Sequence, residues 1–139
     1  MNSVKLGKRG RARSNVWTYP GASSLGSDAS RGLQDHPTVK PTAMLEDALL
    51  DLTNRGNIVL DPVLGSGSIL IAAHKAGRAC RGVELDPLSV DVIIRRYEAA
   101  TGEAGILLET GETFQDFATR RTRETARKEP EAEEARPSP

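Results

Sequence analysis

The sequence predicts an α/β fold, a parallel sheet flanked by helices, and three observations carry that expectation. Two short apolar segments end on acids: Ile58, Val59 and Leu60 stop at Asp61-Pro62, and residues 80–85 (CRGVEL) close at Glu84. Helical patterns lie before, between and after them. A glycine turn, Gly65-Ser66-Gly67, joins the first apolar segment to the next helix. Strands alternating with helices in this order build right-handed β-α-β units. A strand apolar on both sides is the kind that a parallel sheet buries on both faces.

Each element has its own signal. Residues 1–34 are rich in Gly, Ser, Arg and Lys and lack apolar periodicity, so they read as loop with Trp17 and Tyr19 as an aromatic anchor. Pro41 suits the first position of a helix, and Met44, Leu45, Ala48, Leu49 and Leu52 form one helical stripe that ends near Asn54, before Gly56. Residues 68–76 are apolar nearly all round, which places that helix against the sheet, with Gly77 as a left-handed cap. Residues 88–100 form a further helix with Val92, Ile93 and Tyr97 among its apolar positions, and a weaker strand, GILLE, follows from Gly105. From Thr119 onward the chain is charge and proline without an apolar face and reads as disordered. The expected organisation is therefore a basic, loop-rich segment at 1–34, an α/β domain at 35–118 and a charged tail at 119–139.

At 139 residues the chain has room for one hydrophobic core. Its 19 basic and 19 acidic residues cancel, yet Lys5, Lys8, Arg9, Arg11 and Arg13 all precede the first acid. Such a run suits salt-sensitive contact with nucleic-acid phosphates. A single cysteine, Cys80, excludes a disulfide framework and an all-cysteine metal site, and it reads as a packing residue. No metal site is expected. The apolar runs fall far short of the roughly 18 residues of a membrane span, and no apolar signal core follows the basic N-terminus, so the expectation is a soluble, cytoplasmic protein away from membranes. His74 lies inside an apolar helix and reads as a core residue, whereas His36, between Asp35 and Pro37, reads as bracing a turn, with a direct ligand role as the alternative.

In a parallel sheet, ligands bind beyond the carboxyl ends of the strands, where the loop after a strand meets a helix start. Asp61, Gly65, Ser66, Gly67 and Ser68 occupy that place. Glu84 stands 84 − 65 = 19 positions after Gly65, near the spacing of about 20 at which an acid takes ribose hydroxyls. A nucleoside is the implied ligand class. A phosphate-binding loop of nucleotide triphosphatases would need Gly-Lys-Ser/Thr, and no lysine stands there. The dinucleotide fingerprint needs a third Gly or Ala where this chain has Leu70. A ligand with a ribose, no phosphates, a carboxylate and an amino group within reach of Asp61 remains, and S-adenosylmethionine has all four features.

Three segments in order, HPTVKP (36–41), DPVLGSGSIL (61–70) and GVELDP (82–87), resemble the β-class N6-adenine/N4-cytosine DNA methyltransferases. The resemblance covers roughly residues 13–117 and continues through VDVIIRRYEAATGEA. It implies a Rossmann-like, S-adenosylmethionine-dependent fold with an incomplete sheet, and S-adenosyl-L-methionine as cofactor. By that resemblance Thr38, Lys40, Asp61, Gly65, Ser66 and Gly67 hold the methionine end, while Glu84 and Asp86 hold ribose and adenine. Val63 and Ser68 depart from the family's usual residues without removing backbone N–H groups. A larger departure concerns the family's catalytic Asp/Asn/Ser-Pro-Pro-aromatic loop, which hydrogen-bonds the target amino group and stacks on the flipped base. No Pro-Pro pair occurs in this sequence, so no catalytic residue is assigned. The resemblance thus implies the C-terminal, donor-binding part of an enzyme that methylates the exocyclic amino group of adenine or cytosine in DNA, with a remnant of the DNA-recognition region at 1–34. DNA and a separate chain carrying the Pro-Pro loop are the implied partners, and a homodimer stays open. The alternative is a non-catalytic nucleoside-binding module or an inactive remnant.

Overall fold

A computed structural model describes residues 16–20 and 39–134, with side chains described through residue 127. The basic run from Lys5 to Arg13, His36 and the expected site residue Thr38 lie outside the described residues. The elements are α1 (Thr42–Leu52), β1 (Ile58–Asp61), α2 (Ser68–Lys75), β2 (Ala79–Gly82), α3 (Pro87–Thr101) and α4 (Phe114–Glu134). The strands pair in parallel, Ile58 opposite Ala79 and Asp61 opposite Gly82, with α2 as the crossover between them. The chain forms two compact units, one ending at Gly102 and one beginning at Glu103, so the division falls well ahead of residue 118.

In the first unit, Pro41 is the N-cap of α1 rather than its first helical residue, with φ −58 and ψ 122. Part of the stripe read from the sequence faces inward: Leu49 joins Ala72, Ala73 and Ala76 in the core, and Leu45, Val59, Ile69 and Cys80 pack against them, whereas Leu52 at the end of the stripe is exposed. Ala72 and Ala73 are fully covered, and their small side chains let α1 and α2 come together over Val59 and Cys80. Burial, and after it the Asp61 carboxylate, pushes the Cys80 thiol pKa up, in keeping with a packing role. Beyond the core, Arg78 ties the loop after α1 to β2 by donating to the Thr53 hydroxyl at 2.9 Å and the Thr53 carbonyl at 2.7 Å. The Tyr19 hydroxyl donates to the Asp47 carboxylate of α1, and Trp17 meets the Tyr19 ring edge-on at 6.5 Å. His74 sits half-buried beside Tyr97, its Nδ1 3.1 Å from the Tyr97 hydroxyl.

Four expectations need correction. The first concerns β1, which among the described residues is covered on one face only. Val59 points at the core, but Ile58 and Leu60 are 67% and 72% exposed. Alternation along a strand sends neighbouring side chains to opposite faces, and α1 and α2 both lie on the Val59 side. The second strand pairs over Ala79–Gly82 and ends before Val83 and Glu84. There the Val83 N–H still donates to the Asp61 carbonyl at 3.0 Å, after which the chain turns.

The GILLE segment makes no strand; an isolated antiparallel bridge joins Ile106 and Thr113. Finally, α4 replaces the expected disordered tail over most of its length. Thr113 caps it by accepting from the Asp116 N–H at 3.1 Å and donating to the Asp116 carboxylate at 2.6 Å. Arg120 adds a two-pronged contact to Glu112, both bonds 3.0 Å, and a pair with Glu124 four residues on. Local caps and pairs of this kind support a helix that has no apolar face. Among the described residues no helix is long and apolar enough to cross a membrane.

Candidate nucleoside-binding cleft

The site grows from the carboxyl end of β1. Asp61 ends the strand and accepts from the Val63 N–H at 3.1 Å, which starts the turn. The Leu64 N–H donates to the Val83 carbonyl at 2.9 Å, anchoring the turn to the chain leaving β2. Next, the Gly65 N–H donates to Glu84 Oε2 at 2.8 Å. The spacing of 19 seen in the sequence is thus a direct contact between the turn and the acid.

Gly67 then takes the left-handed conformation, φ +71, as N-cap of α2, and no side chain caps that helix start. A Cβ here would lie 2.7 Å from Ile93 Cγ2 on α3, so both the backbone angle and the close approach require glycine. The hydroxyls of Ser66 and Ser68 lie 3.1 Å apart and buried, and the Arg96 guanidinium donates to the Ser66 carbonyl.

Glu84 is fixed from three sides. Besides Gly65, its carboxylate accepts from the N–H groups of Leu85 at 3.0 Å and Asp86 at 3.2 Å. The Asp86 and Gly65 N–H groups hold its pKa below the ordinary carboxylate value. Asp86 itself acts as the N-cap of α3, accepting from the N–H groups of Leu88 at 3.2 Å and Ser89 at 3.0 Å. The Ser89 hydroxyl, followed by the Leu88 N–H, lowers its pKa.

A cleft of about 490 Å³ opens between these parts, lined by Lys40, Leu45, Asp61, Val63, Leu64, Gly65, Ser66, Ser68, Ile69 and Glu84. Its size suits a small organic ligand. Its lining combines the Lys40 ammonium and the Asp61 and Glu84 carboxylates with the apolar side chains of Leu45, Val63, Leu64 and Ile69. Of the site residues expected from sequence, Lys40, Asp61, Gly65, Ser66 and Glu84 meet in this cleft. Gly67 lies beneath the turn and Asp86 at the head of α3, and neither lines it. Sequence reasoning missed Leu45, Leu64 and Ile69, which look like core residues, and also Ile93 and Arg96, whose contacts are long-range. Among the described residues no group of three or more His, Cys, Asp or Glu could hold a metal ion.

A parallel strand pair joined by a crossover helix, with a glycine turn at the carboxyl end of β1, defines an α/β fold. Comparison with known proteins narrows this. Residues 2–95 match the N6/N4-type DNA methylase family, and the chain belongs to that family. It is 30% identical over 96 residues to the type II methyltransferase M.ScaI of Streptomyces caespitosus, covering 69% of this chain and 32% of that protein. It is 34% identical over 87 residues to the DNA adenine methyltransferase YhdJ of Escherichia coli, covering 63% of this chain and 28% of that one. The chain therefore spans about a third of the length of these relatives. Among solved structures, the M1.HpyAVI–SAM complex aligns with a TM-score of 0.40 and 26% identity, over 44% of this chain and 32% of that chain.

Proposed function

We propose that this chain is the donor-binding part of a DNA methyltransferase acting on the exocyclic amino group of adenine or cytosine, and that S-adenosylmethionine occupies the cleft between Asp61 and Glu84. The observation that carries the reading is the bond between the Gly65 N–H and Glu84. It joins the glycine turn to an acid whose orientation three backbone donors fix.

A carboxylate has about four acceptor sites, so one remains on Glu84 for a ribose hydroxyl. At the other end Asp61 pairs with the donor's amino group and Lys40 with its carboxylate. The uncapped start of α2 adds a weak attraction for that carboxylate. Asp86 serves by holding the head of α3 beside Glu84.

Bound S-adenosylmethionine would supply an electrophilic methyl group on its sulfonium, and transfer to a base nitrogen then depends chiefly on alignment. The residues here orient the donor. Holding the base and its amino group falls to a Pro-Pro loop, which residues 1–139 do not contain. One observation supports a partner: among the described residues, Ile58 and Leu60 leave one sheet face bare. A parallel sheet is stable when both faces are covered, so the partner's remaining strands and helices are the occupant of that face. The basic residues from Lys5 to Arg13 contact DNA phosphates in the assembled enzyme.

Calorimetric titration tests the reading. The chain binds S-adenosylmethionine, and Glu84→Ala weakens binding by roughly tenfold or more, because a hydrogen bond to a charged acceptor is lost together with the clamp on the turn. Equal affinity for both forms contradicts the assignment. A second outcome concerns transfer: the purified chain alone places no radiolabelled methyl on duplex DNA. Labelled DNA would show that the chemistry needs no Pro-Pro loop.

A further inference from the structure

We infer that Arg96 is a positioning residue for the glycine turn, acting on the donor through the Ser66 carbonyl. The inference rests on the reading of that turn as the donor site, and it adds a residue outside the cleft to it.

A turn of Gly65, Ser66 and Gly67 is flexible by composition. A ligand that must order such a loop loses affinity to conformational entropy, unless the fold orders it beforehand. One side of the turn is already held by the Leu64 N–H on the Val83 carbonyl and the Gly65 N–H on Glu84. The other side meets only α3 among the contacts described, through two residues one turn apart. Ile93, 4% exposed, fills the space against Gly67, and Arg96 donates to the Ser66 carbonyl.

The peptide unit between Ser66 and Gly67 is therefore gripped at both ends. Its carbonyl takes the Arg96 guanidinium, and its N–H donates to the Leu64 carbonyl at 3.0 Å. That unit sets the direction in which α2 starts and the aim of the N–H groups at its head. A charged donor also makes the stronger kind of hydrogen bond and leaves positive charge behind a turn that is to receive a carboxylate.

The neighbouring Arg95 makes the contrast. It turns outward and pairs with Asp91 at 3.8 Å with both side chains largely exposed, an arrangement worth little. Asp86 begins α3 beside Glu84 and Arg96 sits in its third turn, so one helix contacts the glycine turn and abuts Glu84.

The test compares the full chain with Arg96→Met, Arg96→Lys and Arg95→Met. Three quantities are read: affinity for S-adenosylmethionine by calorimetry, thermal midpoint without ligand, and amide hydrogen exchange at residues 65–68. Arg96→Met is expected to weaken binding about tenfold and to speed exchange at the turn, with Arg96→Lys in between and Arg95→Met like the wild type. Wild-type affinity and unchanged exchange in Arg96→Met overturn the inference. If Arg96→Met does not fold, Arg96→Lys decides, and wild-type binding and exchange in that variant overturn it. A wild-type chain that fails to bind the donor at all removes the donor-site reading, while exchange at the turn still shows whether Arg96 holds it.

Discussion

The two faces of the β1–β2 pair have opposite surroundings. On one face Val59 and Cys80 lie under Leu49, Ala72, Ala73 and Ala76. On the other, Ile58 and Leu60 stand open, and Val83 beyond the end of β2 is also 60% exposed. Two helices of this chain complete the first face, and none of its described elements covers the second. The apolar strand residues thus favour more cover than the described elements of the first unit supply, while the cleft, at the carboxyl end of β1, is formed from described residues.

The covered face should be the sensitive one. Leu49→Ala removes the largest side chain of the core cluster and is expected to lower stability by about 2–4 kcal/mol in a denaturant titration, by lost transfer energy and the cavity left behind. A change under 1 kcal/mol would mean that α1 is not seated on α2. Acid should have the next effect. Glu84 and Asp86 have pKa values below their ordinary 4.5 and 3.8, so both contribute to stability above those values and lose it as pH falls through the folded-state values. Unfolding measured between pH 6 and 3 should show a decline that Glu84→Gln flattens. The same slope in both forms would remove Glu84 from the turn. On the bare face, Leu60→Thr is expected to leave stability within about 0.5 kcal/mol of the wild type, since the side chain loses no packing. A loss as large as that of Leu49→Ala would mean that this face is already covered.

What the sequence revealed followed from local signals. The glycine turn, the acid ending β1 and the distance to Glu84 are short-range features whose geometry is set by a strand, a turn and a helix start. The bare face was not legible, because an apolar run such as Ile58 to Leu60 states a preference for burial without stating what buries it. Reading α4 as disordered weighed only its missing apolar face. The cap made by Thr113 and Asp116 and the pairing of Arg120 with Glu124 were available in the sequence and outweigh that absence. Asp86, immediately before Pro87, is a helix cap, a role that its place in the sequence also signals. Arg96 was invisible for another reason: its partner lies 30 residues away, and nothing in either segment marks the pair.

The central claim is that the crevice at the ends of β1 and β2 takes the methyl donor. A crystal structure of the chain grown with S-adenosylmethionine tests it most directly. The account predicts the amino-acid end of the donor beside Lys40, Asp61 and the Gly65–Gly67 turn, with a ribose hydroxyl on Glu84. A donor bound elsewhere, or a crevice filled by the protein's own side chains, would contradict it.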